Sequence, residues 1–202
     1  MIAEHAATSI IEWGVAGSAL EQESGDLHVV LPFPDGVLVT LMDGLGHGPE
    51  AAFAACAAVP VLEAHAAEPV LAVVQRCHEA LRKTRGVVMS VASFSRSDAA
   101  MSWIGVGNVE GTLLRSRTTG NLADEALVTR GGVVGYNLPP LRAKTVPVFH
   151  GDLLILATDG VRSGFGSHVM QHADPGEIAR TILATHGKAS DDAHVLVARY
   201  LG

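Results

Sequence analysis

Asp43 closes the apolar run Val37-Leu-Val-Thr-Leu-Met42 and opens a turn, Asp43-Gly-Leu-Gly-His-Gly-Pro-Glu50, that carries glycine at 44, 46 and 48. A run that is apolar at nearly every position reads as a strand buried on both faces. A carboxylate at the end of such a strand is costly unless it is paired or bound to a metal ion. The glycines allow a tight turn and bring backbone carbonyls or amides close to a ligand. Three readings fit: a plain strand–turn–helix connection with a solvated Asp, a phosphate or dinucleotide loop, and a metal-ligating Asp43 assisted by the carbonyl of Gly44. The second is weakened by the G-x-G-x-G spacing and by the lack of a following Lys-Ser/Thr pair. Glu63 lies about 20 residues on, but inside a helical run and not at a strand end. The third reading needs further carboxylates, and the sequence contains them.

Leu153-Leu-Ile-Leu-Ala-Thr-Asp-Gly160 repeats the pattern of a buried strand finishing in Asp-Gly, at Asp159. Ser190-Asp191-Asp192-Ala193 stands immediately before the last apolar run, and Asp26 begins another. Hard carboxylates on neighbouring strand ends repel one another unless cations lie between them. Oxygen-only ligation suits Mg²⁺ or Mn²⁺ better than zinc or copper. No His/Cys zinc spacing and no G-x-S-x-G nucleophile motif is present. Two such ions lower the pKa of a water held between them and clamp phosphate oxygens during in-line attack. Metal-assisted hydrolysis of a phosphate ester is therefore the expected chemistry.

The chain's 202 residues suit a single domain, 1–202, with a substantial core. With 48% hydrophobic and 17% charged residues it is expected to be globular, and its formal charge of -7 argues against nucleic acid or an anionic membrane as the main partner. Cys56 and Cys77 fall in helical runs without a CxxC pair, which predicts buried, reduced thiols. The N-terminus lacks a basic segment followed by an apolar core, and the longest apolar run, about 51–62, is too short and alanine-rich to span a bilayer. A cytoplasmic protein is the expectation.

The elements that must position the acids follow from periodicity. Residues 8–20 read as a first strand and 21–25 as a turn. Residues 26–31 read as a second strand, forming a hairpin with the first, and 32–36 as a Pro-Asp-Gly turn into the strand that ends at Asp43. Antiparallel neighbours joined by so short a turn bring Asp26 beside Asp43. Residues 49–66 and 69–85 read as helices: Pro49 suits the first position, Pro60 is expected to kink or break the first helix, and Val70, Val73, Val74, Cys77 and Leu81 share one face of the second. Arg82, Lys83 and Arg85 cluster at the end of the second run, most simply as partners of the helix dipole, with phosphate binding the minor reading. Residues 87–94, 99–106 and 110–115 read as a three-stranded meander, 116–125 as a loop, and 127–130 as a short strand. Residues 131–140, rich in Gly and Pro, form a loop expected to border the substrate surface. Residues 146–149 and 152–158 read as a hairpin across His150-Gly151, 173–185 as a helix capped by Asp174-Pro175, and 193–200 as the last strand. Hairpins around one central pair of helices point to an α+β sandwich of largely antiparallel sheets.

The motifs SGD at 24–26, LMDGLGHGPEA at 41–51, LATDGV at 156–161 and SDDAHVLVARY at 190–200 occur in the order seen in the PPM metal-dependent protein phosphatases. The chain resembles the SpoIIE/RsbU branch of that family in its RsbX-like form, over essentially its whole length. The resemblance implies a four-layer α-β-β-α sandwich and hydrolysis of phosphoserine or phosphothreonine with two ions, Mn²⁺ or Mg²⁺. It implies that Asp43 bridges the ions, Gly44 offers a carbonyl to one, Asp159 and Asp191 hold the other, and Asp26 ligates directly or through water. Asp191 is preferred to Asp192 by motif alignment. His47 is offered as a substrate-phosphate contact or proton donor, with a plain turn residue the stronger reading. By the same resemblance, the substrates would be phosphorylated STAS-domain proteins of the RsbS/RsbR type in a stressosome-like module. Other members of the branch carry regulatory or membrane segments upstream, whereas this chain begins almost directly at the catalytic domain. Two departures stand out. His28 follows Asp26 at two residues, where the family often has a second acid, and no arginine is assigned to substrate phosphate. A catalytically silent STAS-binding module and a hydrolase of small phosphate esters are the competing functions.

Overall fold

The structure is a computed structural model; it describes residues 2–8, 10–20, 23–116, 122–167 and 169–202. Residues 21 and 22 of the expected turn and 117–121 of the expected loop lie outside the described residues.

Two antiparallel sheets stack face to face. One contains, in spatial order, β1 (Ile2–Ala7), β2 (Ile11–Ser18), β11 (Ala193–Tyr200), β10 (Leu153–Ala157), β7 (Glu110–Leu114) and β8 (Glu125–Ala126). The other contains β3 (Asp26–Phe33), β4 (Gly36–Gly44), β5 (Val87–Ser95), β6 (Ala100–Val106) and β9 (Lys144–Pro147). Helices α1 (Pro49–His65) and α2 (Val70–Ala80) cover the outer face of the second sheet, and α3 (Pro175–His186) covers that of the first. The result is the expected α-β-β-α sandwich.

Side-chain alternation accounts for the layers. Val37, Val39 and Leu41 of β4 point between the sheets and meet Leu154 and Leu156 of β10 and Leu196 of β11. Leu38 and Met42 point the other way, into α1 and α2. Leu153, Ile155 and Ala157 likewise turn from the inter-sheet core towards α3. The apolar runs therefore lack a polar face because both faces of each strand are buried, each large side chain contributing about 1.5–3 kcal/mol of transfer free energy. Phe94 and Tyr200 stack across the sheets with ring centroids 5.9 Å apart.

Helix α1 lies close on its sheet through Ala51, Ala54, Ala55 and Ala58, as its small-residue content suggests. Pro60 does not end it. The proline falls on the exposed side, where the carbonyl it leaves without a partner is open to water. Cys56 shares that side and is exposed, contrary to expectation, while Cys77 is buried against the sheet and its thiol is pushed up to about 12 by burial. The Asp174 carboxylate accepts the Glu177 amide at 3.1 Å and starts α3.

Several expected pairings are replaced by others. Strands β2 and β3 do not form a hairpin but lie in different sheets. Strand β7 leaves the supposed meander to pair with β10, and β9 pairs with β6 while β10 pairs with β11, so His150-Gly151 is a crossover between sheets. The short strand is Glu125–Ala126, not 127–130, and β1 was not anticipated. Among the described residues no helix is long and apolar enough to cross a membrane.

Candidate metal centre

One cavity of about 240 Å³ is lined by Asp26, Asp43, Asp159, Asp191 and Asp192, with Leu45, Gly46, Val88 and Asn108. All four acid-bearing strand ends named from the sequence thus meet at one place. The two sheets supply two ends each. In one, Asp26 at the start of β3 is the direct ladder partner of Asp43 at the end of β4. In the other, Asp159 follows β10 and Asp191-Asp192 precede its antiparallel partner β11, whose Val195 opposes Ala157. Both β4 and β10 are buried strands that carry an acid at their C-terminal end, Asp43 just inside β4 and Asp159 just after β10.

Hydrogen bonds fix the acids. Thr158 Oγ1 donates to Asp26 Oδ2 at 2.8 Å and accepts the His194 amide at 2.9 Å, tying the two sheets together beneath the cavity. Asn108 Nδ2 donates to Asp159 Oδ2 at 2.7 Å. The Lys188 ammonium donates to the Asp159 carbonyl. Asp192 is already committed: Oδ1 accepts the Leu20 amide at 2.7 Å and Oδ2 the Gly25 amide at 3.0 Å. Asp191 is exposed at the cavity edge and accepts the Asp192 amide at 3.0 Å. This division supports Asp191 as the outward carboxylate and Asp192 as the one that holds Leu20 and Gly25.

Electrostatic crowding is strong. Burial, then repulsion from Asp43, pushes the Asp26 carboxyl up to about 8 against the Thr158 hydrogen bond. Burial, then Asp159 and Asp191, pushes Asp43 up to about 7. Asp159 is raised by burial and Asp191, with Lys188 opposing. Such a group of carboxylates asks for compensating positive charge. The donors are all oxygen, with no thiolate or imidazole lining the cavity, which fits Mg²⁺ or Mn²⁺. Among the described residues no three acidic, imidazole or thiol groups close tightly around a single point. An ion here would complete its shell with water, as Mg²⁺ commonly does.

Backbone close approach explains the glycines. A methyl group on Gly44 would stand 2.1 Å from the Ala51 carbonyl oxygen, and one on Gly160 1.8 Å from that of Asp192. The Gly44 amide donates to the Gly25 carbonyl at 3.0 Å, joining the motif around Asp26 to the one around Asp43. His47 is exposed on the glycine turn and is not among the residues lining the cavity. His28 faces His194 across the sheets, Nδ1 to Nε2 at 3.1 Å, so the residue standing where an acid was expected serves as an inter-sheet contact. Burial, then His28, drives the His194 imidazole down to about 3. Sequence reasoning missed Asn108 and Thr158, although the Gly107-Asn108 turn and the Thr preceding Asp159 were visible signals.

Residues 34–201 match the family described as Stage II sporulation protein E (SpoIIE). The phosphoserine phosphatase RsbX of Bacillus subtilis (strain 168) is 22% identical over 96% of this chain and 94% of its own length. A chain from structural work on the bacterial stressosome, a modular system adapted to control secondary messenger signalling, superposes with a TM-score of 0.83 at 29% identity, covering 94% of this chain and 99% of that one. RsbX in complex with magnesium superposes with a TM-score of 0.85 at 21% identity, covering 98% of this chain and all of its own.

Proposed function

The chain belongs to the SpoIIE family of PPM-type protein phosphatases, and from that premise we propose that it hydrolyses phosphoserine or phosphothreonine on STAS-domain proteins of a stressosome-like module. The observation that carries this reading is the convergence of Asp26, Asp43, Asp159 and Asp191 on one oxygen-lined cavity. The magnesium in the RsbX structure, the phosphoserine phosphatase name of the Bacillus relative and the stressosome origin of the other neighbour support the ion, the reaction and the partner.

Asp43, the Gly44 carbonyl, Asp159 and Asp191 would hold the ions, and Asp26 would ligate directly or through water. When bound, Mn²⁺ or Mg²⁺ neutralises the carboxylates, lowers the pKa of a nearby water and screens the phosphate oxygens. The chain's own groups supply the positioning. Thr158 orients Asp26, Asn108 orients Asp159, and Asp192 holds the Leu20 and Gly25 amides. The reaction forms a bond from a water oxygen to phosphorus and breaks the bond from phosphorus to the seryl or threonyl oxygen, releasing inorganic phosphate.

Phosphate release from a phosphorylated STAS-domain protein, measured with Mn²⁺ and with chelator, tests the reading. Metal-dependent turnover is expected. Turnover of small esters alone would replace the substrate class, and metal binding without turnover of either would favour a binding module.

A further inference from the structure

We propose that Arg85 is the residue that grips the substrate's phosphate at this site, an inference that rests on the phosphatase reading. The sequence favours its cation as a partner for the end of α2, with phosphate binding the minor reading, and the structure sends it to the glycine turn. Its guanidinium crosses the glycine turn: a methyl group on Gly46 would stand 2.8 Å from Arg85 Nη1. Gly46 itself lines the carboxylate cavity, so the guanidinium packs on a glycine of the cavity wall without being one of the lining residues.

The backbone holds it there. Val87 is the ladder partner of Gly44, and the Leu45 amide donates to the Gly86 carbonyl at 3.1 Å. Thr84 Oγ1 accepts the Gly86 amide at 2.9 Å and donates to the Leu81 carbonyl at 2.8 Å, fixing the turn from which Arg85 extends. Gly46 has φ +94, a conformation that favours glycine, and its missing side chain leaves room for the guanidinium.

Arg85 pairs with Glu50 in the first turn of α1, and both side chains are more than half exposed. Such a pair contributes little to stability and is readily exchanged. A dianionic phosphate is a stronger partner for a planar guanidinium, which can donate two parallel hydrogen bonds to it. Arg82 instead pairs with Glu79 of α2, through Nε at 2.8 Å and Nη2 at 2.9 Å.

The test uses the full Mn²⁺-loaded chain and compares wild type, Arg85→Ala and Arg85→Lys. Inorganic phosphate binding is followed by calorimetry, and KM and kcat are measured on p-nitrophenyl phosphate. Loss of a charge-assisted pair predicts phosphate affinity weaker by about 10-fold or more in Arg85→Ala, KM raised to match and kcat less affected. Arg85→Lys should fall between, keeping the charge without the fork. Mn²⁺ affinity and melting temperature should stay at wild-type values. Unchanged phosphate affinity in Arg85→Ala, or a parallel loss of Mn²⁺ affinity, would overturn the assignment. Wild type that binds phosphate through Arg85 but hydrolyses neither ester nor phosphoprotein would uphold it while removing the phosphatase reading.

Discussion

Asp26 and Asp43 stand directly opposite each other in the β3–β4 ladder, with both residues lining the same cavity. Opposed residues in an antiparallel pair have Cα atoms about 4.5–5.5 Å apart, and like charges there destabilise the pair. Neither residue can retreat. Asp26 is held by Thr158 from the other sheet, and Gly44, next to Asp43, is packed against the Ala51 backbone. The fold therefore fixes a repulsive arrangement that a cation relieves, which is the physical core of the functional reading.

Replacing Asp43 by Asn removes one of the repelled charges while keeping shape and volume. In chelator, Asp43→Asn should melt a few degrees above wild type, since about 1 kcal/mol moves the midpoint by roughly 2–4 °C in a chain of this size. Adding Mn²⁺ should raise the wild-type midpoint and leave that of the variant nearly unmoved. Phosphate release should fall at least about 100-fold, the scale on which one electrostatic group of an active site is felt. Scanning calorimetry with and without Mn²⁺ decides the matter. A wild-type midpoint that ignores the ion would mean the carboxylates are compensated by the protein alone.

The same crowding sets a pH dependence. Asp26 and Asp43 titrate at about 8 and 7 in the fold, against 3.8 for an ordinary Asp. Between these values the folded state binds more protons than the unfolded one, so its stability falls as pH rises through the window from about 4 to 8. Metal-free protein should therefore withstand more urea at pH 5.5 than at pH 8. Saturating Mn²⁺ should flatten or reverse the trend, because binding needs the deprotonated ligands. Asp26→Asn should flatten it without metal. Equal urea midpoints at the two pH values in chelator would contradict the proposed repulsion.

The site was legible because strands buried on both faces announce themselves as apolar runs, and a charge at the end of one is conspicuous. Asp26 beside Asp43 followed from the short turn between their strands. Long-range pairing was not legible. Alternation tells which way Leu113 or Val146 points but not that β7 joins β10 or that β9 joins β6. Asn108 escaped notice because its partner, Asp159, lies 51 residues away. Pro60 does not break α1 because it faces solvent, which sequence alone did not show.

Asp191 and Asp192 are identical in type and differ in what they touch, so their substitutions should separate. Asp191→Asn should lower Mn²⁺ affinity by about 10-fold without lowering the urea midpoint in chelator. Asp192→Ala removes the acceptor of the Leu20 and Gly25 amides. It should cost about 1–3 kcal/mol of stability and speed hydrogen exchange at those two amides. The opposite assignment, with exchange accelerated in Asp191→Asn and the ion lost in Asp192→Ala, would exchange the two roles.

Gly160 and Gly164 offer a controlled comparison of contact against conformation. A methyl group on Gly160 would overlap the Asp192 carbonyl oxygen at 1.8 Å and crowd the Ala193 Cα at 2.9 Å. Backbone atoms cannot rotate aside as a side-chain tip does, so the start of β11 would have to move, carrying Asp191 with it. The Gly160 carbonyl also accepts the Lys188 amide at 2.7 Å, which resists movement from the other side. Gly160→Ala should therefore lose about 1–3 kcal/mol or more together with Mn²⁺ affinity. Gly164 has nothing within 4 Å of the added methyl, but its φ is +86. Gly164→Ala should show only the conformational penalty, about 1–2 kcal/mol, with Mn²⁺ binding intact. Urea denaturation and Mn²⁺ titration of the two variants read both quantities. If Gly160→Ala binds Mn²⁺ like wild type, the turn after β10 does not set the position of Asp191, and the two strand ends of that sheet contribute to the centre independently.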